Sequence, residues 1–250
     1  GKKYCCTVIC GHSSFYWIVS RWADENGFER KRNFMIQISN LSKKYGETVV
    51  FSDLNYTFEN ACIYGLVGRN GAGKTTLLNI LSNYDKNYTG VISIDGEKMN
   101  KVDYLDMPVA YAMDQPSFFN ELTIYENLLL IASSRKIKKQ EAFDKIERIL
   151  DGLGLKKYEN YSPLELSKGT MQRLNNACAM IQEEKITIFD EPFSGLDPVQ
   201  MKLLENVIVE FHKKEKGIYI ISSHDIECLQ NVCDKCLLLH NGQIREINME

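Results

Sequence analysis

The sequence predicts an α/β fold with a mostly parallel core sheet, and three observations carry that prediction. Short apolar runs alternate along the chain with segments whose apolar residues recur at helical spacing. The runs Cys62-Ile63-Tyr64-Gly65-Leu66-Val67, Ile186-Thr187-Ile188-Phe189 and Ile218-Tyr219-Ile220-Ile221 are apolar throughout, as strands covered on both faces must be. A glycine-rich stretch follows the first of these runs at once and opens into the stripe Leu77, Leu78, Leu81, which reads as strand, loop and helix.

The first 34 residues lack a clear period and carry both tryptophans, three of the eight cysteines and an excess of basic side chains. They are read as an extension of unknown role, either native, foreign to the natural chain or the product of an upstream start. The apolar part around Phe15 to Val19 is too short and interrupted for a secretory signal. Met35 is the expected start of the domain, with Ile36 and Ile38 alternating in Met35-Ile36-Gln37-Ile38-Ser39-Asn40-Leu41. Short strands are predicted at Thr48-Val49-Val50-Phe51 and at Val91-Ile92-Ser93-Ile94, the latter closed by Asp95-Gly96. A further strand, Val109-Ala110-Tyr111-Ala112-Met113, precedes a largely helical middle over about 116–182. There Ala142, Ile146, Ile149, Leu150 and Leu153 form one stripe, with Gly152 and Gly154 marking its end. Leu203, Leu204, Val207, Ile208 and Phe211 stripe the helix between the last two apolar runs, and Asn241-Gly242 closes a final hairpin.

Composition narrows the function. A net charge of −3 gives no basic excess, so no nucleic-acid partner is expected. No run of 18 apolar residues is present, so the sequence offers no helix to cross a bilayer. The pair Cys233-x-x-Cys236 has half the spacing of a zinc site. A second pair at ordinary spacing is missing and Cys236 opens an apolar run, so these thiols, like Cys62 and Cys178, read as small core residues.

Residues Gly68-Arg69-Asn70-Gly71-Ala72-Gly73-Lys74-Thr75-Thr76 fit G-x-x-x-x-G-K-T. The glycines let successive N–H groups turn toward a phosphate, and the helix that follows offers its positive end to the same anion. Lys74 can reach the β- and γ-phosphates and the Thr75 hydroxyl can ligate Mg²⁺. A magnesium nucleoside triphosphate is therefore expected. By itself this loop leaves kinases, GTPases and many ATPases open.

Three further segments narrow the field: Leu166-Ser167-Lys168-Gly169-Thr170-Met171-Gln172-Arg173; Ile188-Phe189-Asp190-Glu191-Pro192 followed by Ser194-Gly195-Leu196-Asp197-Pro198; and Ser222-Ser223-His224-Asp225. In this order they resemble the nucleotide-binding domain of ATP-binding cassette (ABC) proteins, over roughly residues 35–247. The resemblance implies a P-loop NTPase with a mixed central sheet, an N-terminal antiparallel β subdomain and an inserted helical subdomain. It implies that Asp190 holds Mg²⁺ through water, that Glu191 is the catalytic carboxylate and that His224 contacts the γ-phosphate. Gln115 matches a glutamine that approaches Mg²⁺ and the attacking water, and Tyr45 a ring that stacks on adenine. Ser167 and Gly169 match a loop that contacts the γ-phosphate of ATP held by a second copy. Lys168-Gly169-Thr170 departs from the usual Gly-Gly-Gln, which puts the hydrolysis rate in question.

The resemblance further implies an ATPase in which a second copy of the chain, or a related ATPase subunit, joins it around two Mg-ATP. Its other partner would be a separately encoded transmembrane permease, docked on the helical middle at the cytoplasmic face of the membrane. Lys168 suggests an exporter of a peptide, antibiotic or other small molecule. A non-transport ABC ATPase and an ATP-sensing regulatory module are the alternatives.

Overall fold

The computed structural model describes residues 34–102 and 107–248; the readings made above for the first 33 residues lie outside them. Two sheets and a helical layer organise the chain. β1 (Met35–Tyr45), β2 (Thr48–Glu59), β4 (Thr89–Ile94) and β5 (Glu97–Lys98) form an antiparallel sheet in the order β2-β1-β4-β5. β3 (Cys62–Val67), β6 (Val109–Ala112), β7 (Ile186–Phe189), β8 (Ile218–Ser223), β9 (Lys235–His240) and β10 (Gln243–Ile247) form the second, in the order β10-β9-β3-β8-β7-β6. Its β10–β9 hairpin is antiparallel and its other pairings are parallel, so the sheet is mixed as expected.

Alternation along the strands assigns the two faces of the second sheet. Tyr64, Leu66, Ile186, Ile188, Ile218 and Ile220 pack with α1 (Lys74–Leu81) and the antiparallel sheet. Ile63, Phe189, Tyr219 and Ile221 face the helices α2 (Ile124–Ser134), α3 (Lys139–Gly152), α4 (Lys168–Met180) and α5 (Pro198–Glu215). Cys62, Cys178, Cys233 and Cys236 are buried free thiols. A four-residue helix, α6 (Glu227–Gln230), sits between β8 and β9.

One element is longer than the sequence suggests. Thr48–Phe51 is only the opening of β2, which continues to Glu59. The buried positions Phe51, Leu54 and Phe58 break a strict period of two because register shifts divide the β1–β2 ladder. Asp53 and Asn40 lie in the left-handed region at φ 51° and 53°, and side chains hold both bends. Ser42 Oγ accepts from Asp53 N at 3.0 Å, and Asn55 Oδ1 accepts from Asn40 N at 2.9 Å.

Candidate active site

Parallel strands bring their C-terminal ends to one edge of a sheet, and in open α/β sheets that edge is where ligands bind. Here β3 delivers Gly68, β7 delivers Asp190 and Glu191, and β8 delivers Ser222, Ser223 and His224. Gly71 and Gly73 lie at φ 79° and 100°, where a side chain would be strained. A Cβ on Gly73 would also come within 2.7 Å of Val50 Cγ1, so β2 packs directly against the loop. Gly73 starts α1 without a side-chain cap, and no acidic residue stands in the first turn. By contrast Thr123, Ser167 and Asp197 cap α2, α4 and α5. The N–H groups that open α1 are thus left for an anion.

Lys74 is buried, with Nζ donating to Gly68 O at 2.9 Å and lying 3.4 Å from Glu191 Oε1. Asp190 is buried and accepts hydrogen bonds from Ser222 Oγ at 2.5 Å and from the Thr75 hydroxyl. Tyr111 OH donates to Asn79 Oδ1 at 3.0 Å and lies 3.5 Å from Asp190 Oδ2. Burial pushes the Asp190 carboxyl above its ordinary pKa; the bonds from Ser222 and Thr75 oppose this, and the negative charges of Asp114 and Glu191 add to it. A buried acid crowded by two more and bonded to a threonine hydroxyl is a fitting donor set for a hard divalent cation. The uncapped helix start and the lysine suit the phosphates.

Glu191 adopts φ 49°, an unusual conformation for a residue with a Cβ. Its peptide is held on both sides: Glu191 N donates to Ser222 Oγ at 2.9 Å, and Gln172 Nε2 donates to Glu191 O at 3.3 Å. His224 Nδ1 lies 2.9 Å from Glu191 Oε2, so the histidine fixes the direction of this carboxylate.

Lys74, Thr75, Asp190, Glu191 and His224 are thus brought together. Tyr45, Gln115, Ser167 and Gly169 are not. Tyr45 is half exposed at the end of β1; its OH donates to Asp85 Oδ2 at 3.2 Å, and Lys43 Nζ sits 4.6 Å from the ring centroid. Gln115 is exposed just past β6, beyond Met113, whose carbonyl accepts from Asn175 Nδ2 at 2.7 Å. Ser167 caps α4 by accepting from Thr170 N at 3.2 Å. A Cβ on Gly169 would meet Gly195 O at 3.0 Å, so the serine loop rests on the segment Ser194–Asp197. Among the described residues no hydrogen bond or ion pair joins Tyr45, Gln115 or Ser167 to the phosphate-loop group. The sequence reading gave no role to Ser222, whose hydroxyl bridges Asp190 and Glu191. The available signal was a pair of serines ending an otherwise apolar strand.

A cassette with an uncapped phosphate loop, a buried aspartate and a positioned glutamate belongs to the P-loop NTPases. The sequence profile described as ABC transporter matches residues 51–194. The tungstate uptake system ATP-binding protein TupC of Peptoclostridium acidaminophilum is 30% identical over 211 residues, 84% of this chain and 97% of its own. The bacitracin transport ATP-binding protein BcrA of Enterococcus faecalis is 31% identical over 218 residues, 86% of this chain and 70% of its own. A solved structure of the ATP-binding subunit of an ABC transporter superposes with a TM-score of 0.77 at 28% identity, covering 86% of this chain and 90% of that one. The chain belongs to the ABC transporter ATP-binding family, and its activity is that of an ATPase.

Proposed function

We propose that this chain closes with a second copy, or with a related ATPase subunit, around two Mg-ATP and so drives a separately encoded membrane subunit from the cytoplasmic face. The observation that carries the reading is the separation of the two loops. Lys74, Thr75, Asp190, Glu191 and His224 share one sheet edge, while Ser167 and Gly169 stand on α4 with no bond to them. Another copy would bring its Ser167 to the phosphates held here, an exchange that twofold symmetry repeats at the other site.

ATP supplies the terminal phosphoryl group that is passed to water, and Mg²⁺ neutralises charge on its oxygens. Lys74 would bind the β- and γ-oxygens, and Thr75 with Asp190 would hold the metal. Gln115 would add a neutral amide oxygen, and Tyr45 would stack on the adenine. Glu191 would orient the attacking water and take its proton, with His224 keeping its carboxylate aimed. Among the described residues no helix is long and apolar enough to cross a membrane, which suits a partner that supplies the span.

Export of a peptide, antibiotic or other small molecule is the finer reading: Lys168 in the serine loop supports the direction, and the likeness to BcrA, a bacitracin transport ATP-binding protein, supports the cargo class. Import is the second reading, favoured by the likeness to TupC. The test is co-purification of the chain with the membrane protein encoded beside it, followed by sedimentation of Glu191→Gln with Mg-ATP. Two copies of the chain, or this chain with a related ATPase subunit, are expected per complex; one ATPase chain alone, even beside the membrane protein, overturns the proposal. Vesicle flux with the same complex separates export from import.

A further inference from the structure

We infer that Arg173 and Thr170 form a hydrogen-bond relay that leaves Ser167 with a single free donor, making Thr170 a positioning residue for the serine loop's contact with a bound triphosphate. This rests on the reading of Ser167 given above and extends it to a residue where the chain departs from the usual glutamine.

A proton count carries the inference. A serine or threonine hydroxyl has one proton and two lone pairs, whereas a guanidinium only donates. Arg173 Nη2 lies 3.3 Å from Thr170 Oγ1, so Thr170 accepts there. Thr170 is buried, and the acceptor its own hydroxyl finds is Ser167 Oγ at 2.9 Å. Reversing that bond would leave a buried hydroxyl proton without a partner, at a cost of about 1–3 kcal/mol. Thr170 N donates to the same Ser167 oxygen at 3.2 Å. Both lone pairs of Ser167 are then occupied, and its remaining proton points away from its own helix. An anionic oxygen meets a donor there, with no lone pair opposing it.

The anchor of the relay is fixed from outside the loop. Arg173 is buried, with Nη1 donating to Leu153 O at 2.6 Å and to Gly154 O at 3.3 Å, and Nε donating to Gly169 O at 3.4 Å. The end of α3 therefore holds the guanidinium that orders the Thr170 and Ser167 hydroxyls. Thr170 itself offers nothing outward, and its contribution passes through Ser167.

The test uses the full chain carrying Glu191→Gln, with ATP-driven association followed by sedimentation and monomer binding followed with a fluorescent ATP analogue. Thr170→Val is expected to leave monomer nucleotide affinity within about twofold while weakening association about tenfold. Thr170→Ser is expected to restore association to within about twofold. In a Ser167→Ala background, Thr170→Val is expected to have no further effect, because its action runs through the serine hydroxyl. Normal association of Thr170→Val beside a weakened Ser167→Ala overturns the relay alone. So does an equal loss from Thr170→Val with or without Ser167, which would mark a packing role, or a failure of Thr170→Ser to restore association. Normal association of Ser167→Ala itself overturns the reading of Ser167 on which the relay stands.

Discussion

The phosphate-loop edge and the serine loop are both glycine-bearing turns leading into helices, yet their polar groups are in opposite condition. At the first, α1 starts without a cap, Glu191 sits at φ 49°, and the buried Asp190 is crowded by Asp114 and Glu191. At the second, Ser167 caps α4, Thr170 and Arg173 complete the set, and the backbone packs on Gly195. The first stores backbone strain and like charge that a cation and an anion together would relieve; the second has its hydrogen bonds in place and keeps free only the one Ser167 proton. On the proposed reading, the side given the chemistry bears the cost, and the side given recognition of a bound triphosphate does not. The two are mechanically linked, since Gln172 on α4 donates to the Glu191 carbonyl five residues after Ser167.

The strongest way to break this comparison is Glu191→Gln. It keeps the shape of the side chain and removes the carboxylate proposed as the base, so steady-state phosphate release should fall about 10²- to 10⁴-fold while nucleotide binding persists. Unchanged turnover would remove Glu191 from the mechanism and leave its unusual φ without a function. Ser222→Ala comes next. It deprives Glu191 N of its acceptor and Asp190 of a donor. Turnover should drop about tenfold and stability by about 1–3 kcal/mol, measured by phosphate release and chemical unfolding. Ser222→Thr keeps the hydroxyl and should restore most of both. Wild-type turnover in Ser222→Ala would show that Glu191 holds its conformation without this bridge.

The comparison also explains what was legible in the sequence. The phosphate-loop edge follows from chain-local signals: Gly71 and Gly73 occupy the positive-φ positions that their spacing requires, and Asp190-Glu191 follow an unbroken apolar strand. Ser222 was missed because its role depends on β8 lying beside β7, a neighbour relation that no local pattern reports. Thr170 was legible only as a departure. Whether it turned outward like a ligand or inward like a cap depended on Arg173, which is itself set by carbonyls at the end of α3. The full length of β2 escaped for a similar reason: its bend at Asp53, like the bend of β1 at Asn40, is made by a side chain on the paired strand.

Stability gives the smallest effect and the sharpest contrast, because the two loops should respond with opposite sign. Ser167→Ala removes the cap of α4 and should cost about 1 kcal/mol. Asp190→Asn keeps an oxygen for Ser222 and removes a buried negative charge, so the nucleotide-free chain should melt about 2–4 °C higher. The sign follows from linkage. Burial raises the folded-state pKa of Asp190 above its ordinary value of 3.8, so the folded chain holds this proton more tightly than the unfolded one. The Asp190 penalty is absent below that ordinary value, grows as pH rises through the raised pKa and is complete above it. The gain from Asp190→Asn should therefore be full at neutral pH and vanish in acid, read as the difference in melting temperature between variant and parent across that range. A lower melting temperature at neutral pH would mean that Asp190 stabilises the empty site, and the strained half would then be no more costly to the fold than the satisfied one.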